Sequence, residues 1–177
     1  MQPAIERVST PDRSSKAFQG KQGRTTAEKP HRPYEDTPRS GFLAAFRTHH
    51  VELDNDDLEH IANSPRTMDR TRTFQTRCGG SVNATSWPSI LTNSDDDLIA
   101  PTVERIGAPF DHVITAQQAQ AYKPSRKFLE HAYRAIGVTA DETVHVAMGM
   151  YWDMKARHAL GFRGIWVNRP NEKGNPD

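Results

Sequence analysis

HVITAQQAQAYKPSRKFLEHAYRAIG, residues 112–137, is the stretch whose reading decides the fold. His112-Val113-Ile114-Thr115 is a short apolar run rich in β-branched residues, the composition of a strand. Ser125 then opens a segment in which Phe128, Leu129, Ala132, Tyr133 and Ile136 share one helical face. Gly137 closes that segment, as glycine does where the chain leaves a helix in a left-handed conformation. Strand, loop and amphipathic helix in this order make one βα unit, with Lys123 just before the helix start.

The same alternation runs outward in both directions. Ile90-Leu91-Thr92 reads as the end of a buried strand. Asp95–Ile106 reads as a helix with acidic residues in its first turn and Gly107 past its end. Beyond the central unit, Thr143–Ala147 is a strand, Trp152–Leu160 a helix ended by Gly161, and Gly164–Val167 a strand. Strands alternating with helices at this spacing predict an α/β fold, a parallel sheet with covering helices. In such sheets chemistry gathers at the carboxyl ends of the strands.

Three of those ends carry polar residues. The first gives Thr92 and Asn93, the second leads into Tyr122-Lys123-Pro124-Ser125, and the third gives Met148–Asp153. A hydroxyl, an ammonium and a carboxylate on one edge can bind an anionic group and orient an attacking water. Singly, each has a plainer role: turn residues, a surface lysine, an acid at a helix start. Their order and spacing favour the shared site.

The part before residue 90 is of another kind. Residues 10–33 hold Pro, Gly, Lys, Thr and Ser without an apolar period and read as loop or disorder, and the basic run Lys16–Arg32 as a solvated tail. Phe42, Leu43, Ala45 and Phe46 recur at helical spacing over Tyr34–His49. A second helix is expected over Asn55–Ala62, capped by Asp54. The pair has too little apolar area to stand alone. Residues 64–89 have neither period. The expected organisation is a helical cap over 1–63, an irregular segment over 64–89 and an α/β core over 90–177.

Composition limits the function classes. The chain has 177 residues, 35% hydrophobic content and a net charge of +1, so no nucleic-acid or acidic-membrane footprint is present. Mean hydropathy is −0.77, and no run is long enough for a membrane span. With no signal-type leader after Met1, the sequon Asn83-Ala84-Thr85 carries no weight, and a cytoplasmic location is expected. The single cysteine, Cys78, excludes a disulfide framework and a cysteine-based zinc site. His49, His50 and His60 fit no usual metal spacing. Neither Gly20–Gly23 nor Gly79-Gly80 follows a strand, as a nucleotide-binding turn requires.

In motif order the chain resembles the haloacid dehalogenase superfamily, and within it the 2-haloacid dehalogenase branch. The residues that carry the resemblance are Leu91-Thr92-Asn93-Ser94, Ala121-Tyr122-Lys123-Pro124-Ser125 and His145-Val146-Ala147 through Asp153, continued by Ala159-Leu160-Gly161 and Ile165–Arg169. It covers 90–169 strongly and 34–63 weakly, as a helical cap. The resemblance implies hydrolysis of a carbon–halogen bond in a small 2-haloacid through an aspartyl ester. Thr92, aided by Asn93, would bind the substrate's carboxylate. Lys123 would offset the charge of nucleophile and intermediate, and Asp153 would orient the hydrolytic water and stabilise Lys123. No cofactor is implied for this branch. In phosphate-ester hydrolases of the same fold, Asp153 would help hold Mg²⁺. The implied partner is a small anionic substrate, with neither nucleic acid nor membrane; a homodimer is one assembly the resemblance allows.

The sequence departs from the family's pattern in several places. Met148 and Met150 stand where small polar residues are expected, and Leu129 replaces a tyrosine. The family's first motif is an apolar strand ending in the aspartate nucleophile, and no aspartate before Thr92 has that setting. Met1–Val8 resembles the first cap helix, so the chain is expected to start inside the family's sequence, and it ends abruptly at Asn175-Pro176-Asp177. On that reading it is a catalytically dead fragment. Back-translating Arg72 to Ser89 and reading from the third base of each codon allows DVPDALRRLRQRYVLAI, an amphipathic helix and a strand. A local frameshift restored near Ile90 is therefore expected, and sequencing the coding DNA checks it.

Overall fold

A computed structural model describes residues 11–27, 30–68 and 87–169. Cys78, the sequon, the expected first cap helix, the C-terminal tail and most of the segment read as frameshifted lie outside the described residues. The chain forms two compact units, one of Met1–Pro88 with Ser94–Pro109, the other of Ser89–Asn93 with Phe110–Asp177.

In the first unit the expected loop over 10–33 is corrected: Pro11–Ala27 is a helix, α1. Proline fits a first helical position, where its missing N–H costs nothing. The face of α1 that packs is marked by Ser14, Phe18 and Thr25, at helical spacing but largely hydroxyl-bearing, so apolar periodicity could not reveal it. Phe18 lies on Phe42 of α2 (Asp36–Arg47) with ring centroids 4.9 Å apart. Gly41 makes the approach possible, because a Cβ there would come within 2.7 Å of the Phe18 ring. Thr25 is buried, its hydroxyl 3.0 Å from that of Ser40, and Ser14 Oγ lies 2.6 Å from His49 Nε2.

Helix α3, Asn55–Asn63, begins as expected at Asp54. The Asp57 N–H donates to Asp54 Oδ1 at 2.8 Å and the Asp54 N–H to Asp57 Oδ2 at 3.3 Å, a reciprocal cap worth about 1 kcal/mol. Helix α4, Asp96–Ile106, ends at Gly107 with φ 64°. Its N-cap residue Asp95 makes no capping bond and instead accepts the Tyr34 N–H at 2.7 Å. Arg66 donates to the Asp97 carbonyl at 3.0 Å and pairs with the Asp97 carboxylate. These ties place α4 with the helical unit, although the sequence reading assigns it to the α/β core.

The second unit is α/β as expected, with short parallel strands. Strands β1 (Ser89–Thr92) and β2 (His112–Thr115) pair in register, Leu91 opposite Ile114 and Thr92 opposite Thr115. Strands β3 (His145–Ala147) and β4 (Gly164–Trp166) pair likewise, Val146 opposite Ile165. The described strands thus form two parallel pairs and not one continuous sheet. After the one-turn helix α5 (Ala116–Ala119), helix α6 (Arg126–Ile136) buries Phe128, Leu129, Ala132 and Tyr133, and Gly137 ends it with φ 76°. Tyr133 stacks on Phe162 at 3.8 Å.

The helix expected over Trp152–Leu160 takes a different form. A π-helical turn, Met150–Met154, leads into one α-turn, α7 (Lys155–His158), and Gly161 follows at φ 75°. The N–H groups of Asp153 and Met154 both donate to the Gly149 carbonyl at 3.0 Å. Such a bulge re-aims one side chain without ending the helix and is common at functional sites. Here it turns Asp153 inward, where it is 8% exposed, beside a fully buried Met154.

Candidate active site

Lys123 and Asp153 meet at the carboxyl ends of the strands of the second unit. Lys123 Nζ lies 2.7 Å from Asp153 Oδ1 and donates to the Leu91 carbonyl at 2.8 Å. Both side chains are 11% exposed. The ammonium is thus held between a neutral carbonyl and a carboxylate, the second by charge. An ammonium this shielded from water interacts with nearby charge far more strongly than a surface lysine does.

Asn93 fixes the lysine's backbone. Its Nδ2 donates to the Lys123 carbonyl at 3.2 Å, and its Oδ1 accepts the Lys123 N–H at 2.7 Å. The side chain of Asn93 therefore clamps the loop that carries Lys123. Thr92 ends β1, half-buried and opposite Thr115. Thr92, Asn93, Lys123 and Asp153 all belong to this unit, and the last three touch directly or through one another.

Sequence reading missed His145. Its Nε2 lies 3.6 Å from Asp153 Oδ1, and its side chain is 9% exposed. The signal was available in the alternation of β3, where Val146 and Met148 face out while His145 and Ala147 do not. A histidine at an inward strand position needs a polar neighbour.

Burial pushes the Asp153 carboxyl up; His145 and the Lys123 ammonium outweigh it and hold the group below the ordinary aspartate value. Asp95, in the helical unit, shifts the other way. Burial raises it, and the Tyr34 N–H only partly opposes that. The two have opposite linkage signs. Asp153 contributes stability that is complete above the unfolded aspartate value of about 4 and lost as pH falls through its lower folded value. Asp95 contributes stability that is complete below about 4 and lost as pH rises through its raised folded value. In urea unfolding at a series of pH values, Asp153→Asn is expected to flatten the acid limb, and Asp95→Asn to remove a loss on the side above 4.

Gly149 contributes by what it lacks, since a Cβ there would lie 2.5 Å from Asp153 Oδ2. Gly149→Ala is expected to push the carboxylate off Lys123 and cost about 1–3 kcal/mol, as overpacking does. A fall in the urea midpoint at unchanged slope checks it.

No family model matches the chain. Two curated relatives are similar to part of it. Haloacetate dehalogenase H-2 of Moraxella sp. (strain B) is 30% identical over 83 residues, 46% of this chain and 37% of that one. (S)-2-haloacid dehalogenase of Pseudomonas sp. (strain YL) is also 30% identical over 83 residues, 46% of this chain and 35% of that one. The chain thus spans little more than a third of the length of these relatives. The solved L-2-haloacid dehalogenase of Xanthobacter autotrophicus with chloropropionic acid covalently bound shares the fold at a TM-score of 0.75 and 19% identity, over 88% of this chain and 65% of that one. The L-2-haloacid dehalogenase RSc1362 does so at a TM-score of 0.76 and 19% identity, over 92% of this chain and 75% of that one. The fold is that of haloacid dehalogenase-like hydrolases. Over part of its length, the chain is related to the 2-haloacid dehalogenase branch of that superfamily.

Proposed function

We propose that this chain carries the charge-stabilising and water-orienting groups of a hydrolytic 2-haloacid dehalogenase. The observation behind the reading is the Lys123 ammonium, held between Leu91 O at 2.8 Å and Asp153 Oδ1 at 2.7 Å with little access to water. A 2-haloacid is an anion and its halide leaves as one, so a fixed cation stabilises both charges as they move. Lys123 takes that role. Thr92, with Asn93 beside it, binds the substrate's carboxylate, while the Asn93 side chain keeps Lys123 in register. Asp153 holds Lys123 and orients the water that opens the ester.

Ester formation needs a carboxylate nucleophile, and one observation favours a second reading, a chain without turnover. Among the described residues, Asp153 is the carboxylate that pairs with Lys123, and that pairing already engages it. The phosphate-ester alternative calls for Mg²⁺, which takes near-octahedral oxygen ligands. The described residues do not fit that ion. Asp153 Oδ1 carries an ammonium at 2.7 Å, and no group of three His, Cys, Asp or Glu among the described residues could hold a metal.

Chloride release from 2-chloropropionate and phosphate release from p-nitrophenyl phosphate with Mg²⁺, measured on one preparation with Asp153→Asn as blank, test these readings. Chloride without phosphate is the expected result for a dehalogenase. Phosphate alone transfers the assignment to phosphate esters, and neither product supports the non-catalytic reading.

A further inference from the structure

We propose that His145 is a positioning residue that holds the Asp153 carboxylate on Lys123. The inference rests on Lys123 and Asp153 being the working pair. Gly149, Lys123 and His145 lie against that carboxylate. On the Oδ2 side is Gly149, where even a Cβ would stand only 2.5 Å away. On the Oδ1 side are the Lys123 ammonium at 2.7 Å and the His145 Nε2 at 3.6 Å.

The backbone of His145 is fixed independently of its ring. Its N–H donates to the Arg163 carbonyl at 2.9 Å, and it lies opposite Gly164 in the β3–β4 pair. The ring therefore projects from a paired strand, whereas Asp153 projects from the π-helical turn. Lys123 meets the carboxylate at one oxygen, and a single point of contact constrains its rotation weakly. A ring against the same oxygen limits the rotation that would carry Oδ1 away from the ammonium. An apolar side chain at 145 would satisfy the strand equally well and would offer the carboxylate nothing polar.

Competitive reductive methylation of the full chain, read by peptide mass spectrometry, tests this. The rate at Lys123 is expressed relative to the exposed Lys127 and Lys155 of the same unit. Asp153→Asn is expected to raise the Lys123 ratio several-fold, because the ammonium loses its carboxylate. His145→Leu is expected to raise it to a similar extent, and His145→Gln, whose amide nitrogen reaches near the place of Nε2, to keep it near wild type. If the leucine variant unfolds, seen as Lys123 reaching the rate of Lys155, His145→Phe replaces it, with a ring and no nitrogen. A wild-type ratio in the apolar variants together with a raised one in Asp153→Asn overturns the role of His145 and leaves the pair standing. Equal rises in the glutamine and apolar variants reduce His145 to packing and also overturn it. No rise in Asp153→Asn removes the Lys123–Asp153 pair itself, and the reading of function with it.

Discussion

Lys123→Met is expected to destabilise the chain by about 3–5 kcal/mol and to abolish any chloride release, the loss that follows when one partner of a buried ion pair is removed. The size comes from what is left behind. Asp153 would remain 8% exposed without the ammonium now 2.7 Å from its Oδ1, with a histidine left at 3.6 Å. Leu91 would keep a carbonyl whose donor, now 2.8 Å away, has disappeared. Methionine fills much of the same volume, so the deficit is electrostatic and not a cavity. This gives the loss a pH signature. Without Lys123 the folded Asp153 carboxyl rises, so the variant's penalty is full above that raised value and shrinks as acid protonates the group. The double variant Lys123→Met/Asp153→Asn should recover much of the stability at neutral pH and none of the activity. Urea unfolding at neutral and acid pH measures both effects. A penalty that does not change with pH would show that the pair is not the source.

The parts of the molecule whose physics is local are legible in its sequence. Helix α6 was legible because five apolar residues fall on one face, and its end because Gly137 takes φ 76°. The strands were legible because Val113-Ile114 and Val146 follow turn chemistry at βα spacing, and the Asp54 cap because its partner lies three residues away. What stayed hidden depends on contacts distant in sequence. Helix α1 packs through Ser14, Phe18 and Thr25, a face that hydrophobic periodicity reads as polar chain. Asp95 reads as an acidic residue at the start of a helix, but its carboxylate is drawn to the Tyr34 N–H, 61 residues away in sequence. Nothing local distinguishes those two uses of one carboxylate. At the candidate site, Lys123 and Asp153 stand out in the sequence through order and spacing. His145 escaped because a histidine inside an apolar strand looks like a tolerated core residue until Asp153 stands beside it. The π-helical turn escaped too, because its sequence, MYWDM, has no marker separating it from an ordinary helix start.

Phe128→Ala is expected to cost about 3–5 kcal/mol, the usual range for removing a buried phenylalanine ring. Phe128 is fully buried, as are Leu129 and Ala132 on the same face of α6. The effect should reach the site through the backbone. The Phe128 N–H donates to the Ser125 carbonyl at 3.1 Å, and the Ser125 N–H donates to the Tyr122 carbonyl at 2.8 Å. The loop bearing Lys123 is therefore tied to the first turn of α6 on one side and clamped by Asn93 on the other. Loosening that turn removes one of the two restraints, so the ammonium should lose its fixed position even in molecules that remain folded. Phe128→Leu separates the two consequences. It keeps most of the apolar volume and should cost less than about 2 kcal/mol, with the Lys123 loop still in place. Urea midpoints at constant slope give the energies, and the Lys123 methylation ratio reports on the loop. If the alanine variant loses stability while that ratio stays at the wild-type value, Asn93 alone holds Lys123, and α6 supports the fold without positioning the site.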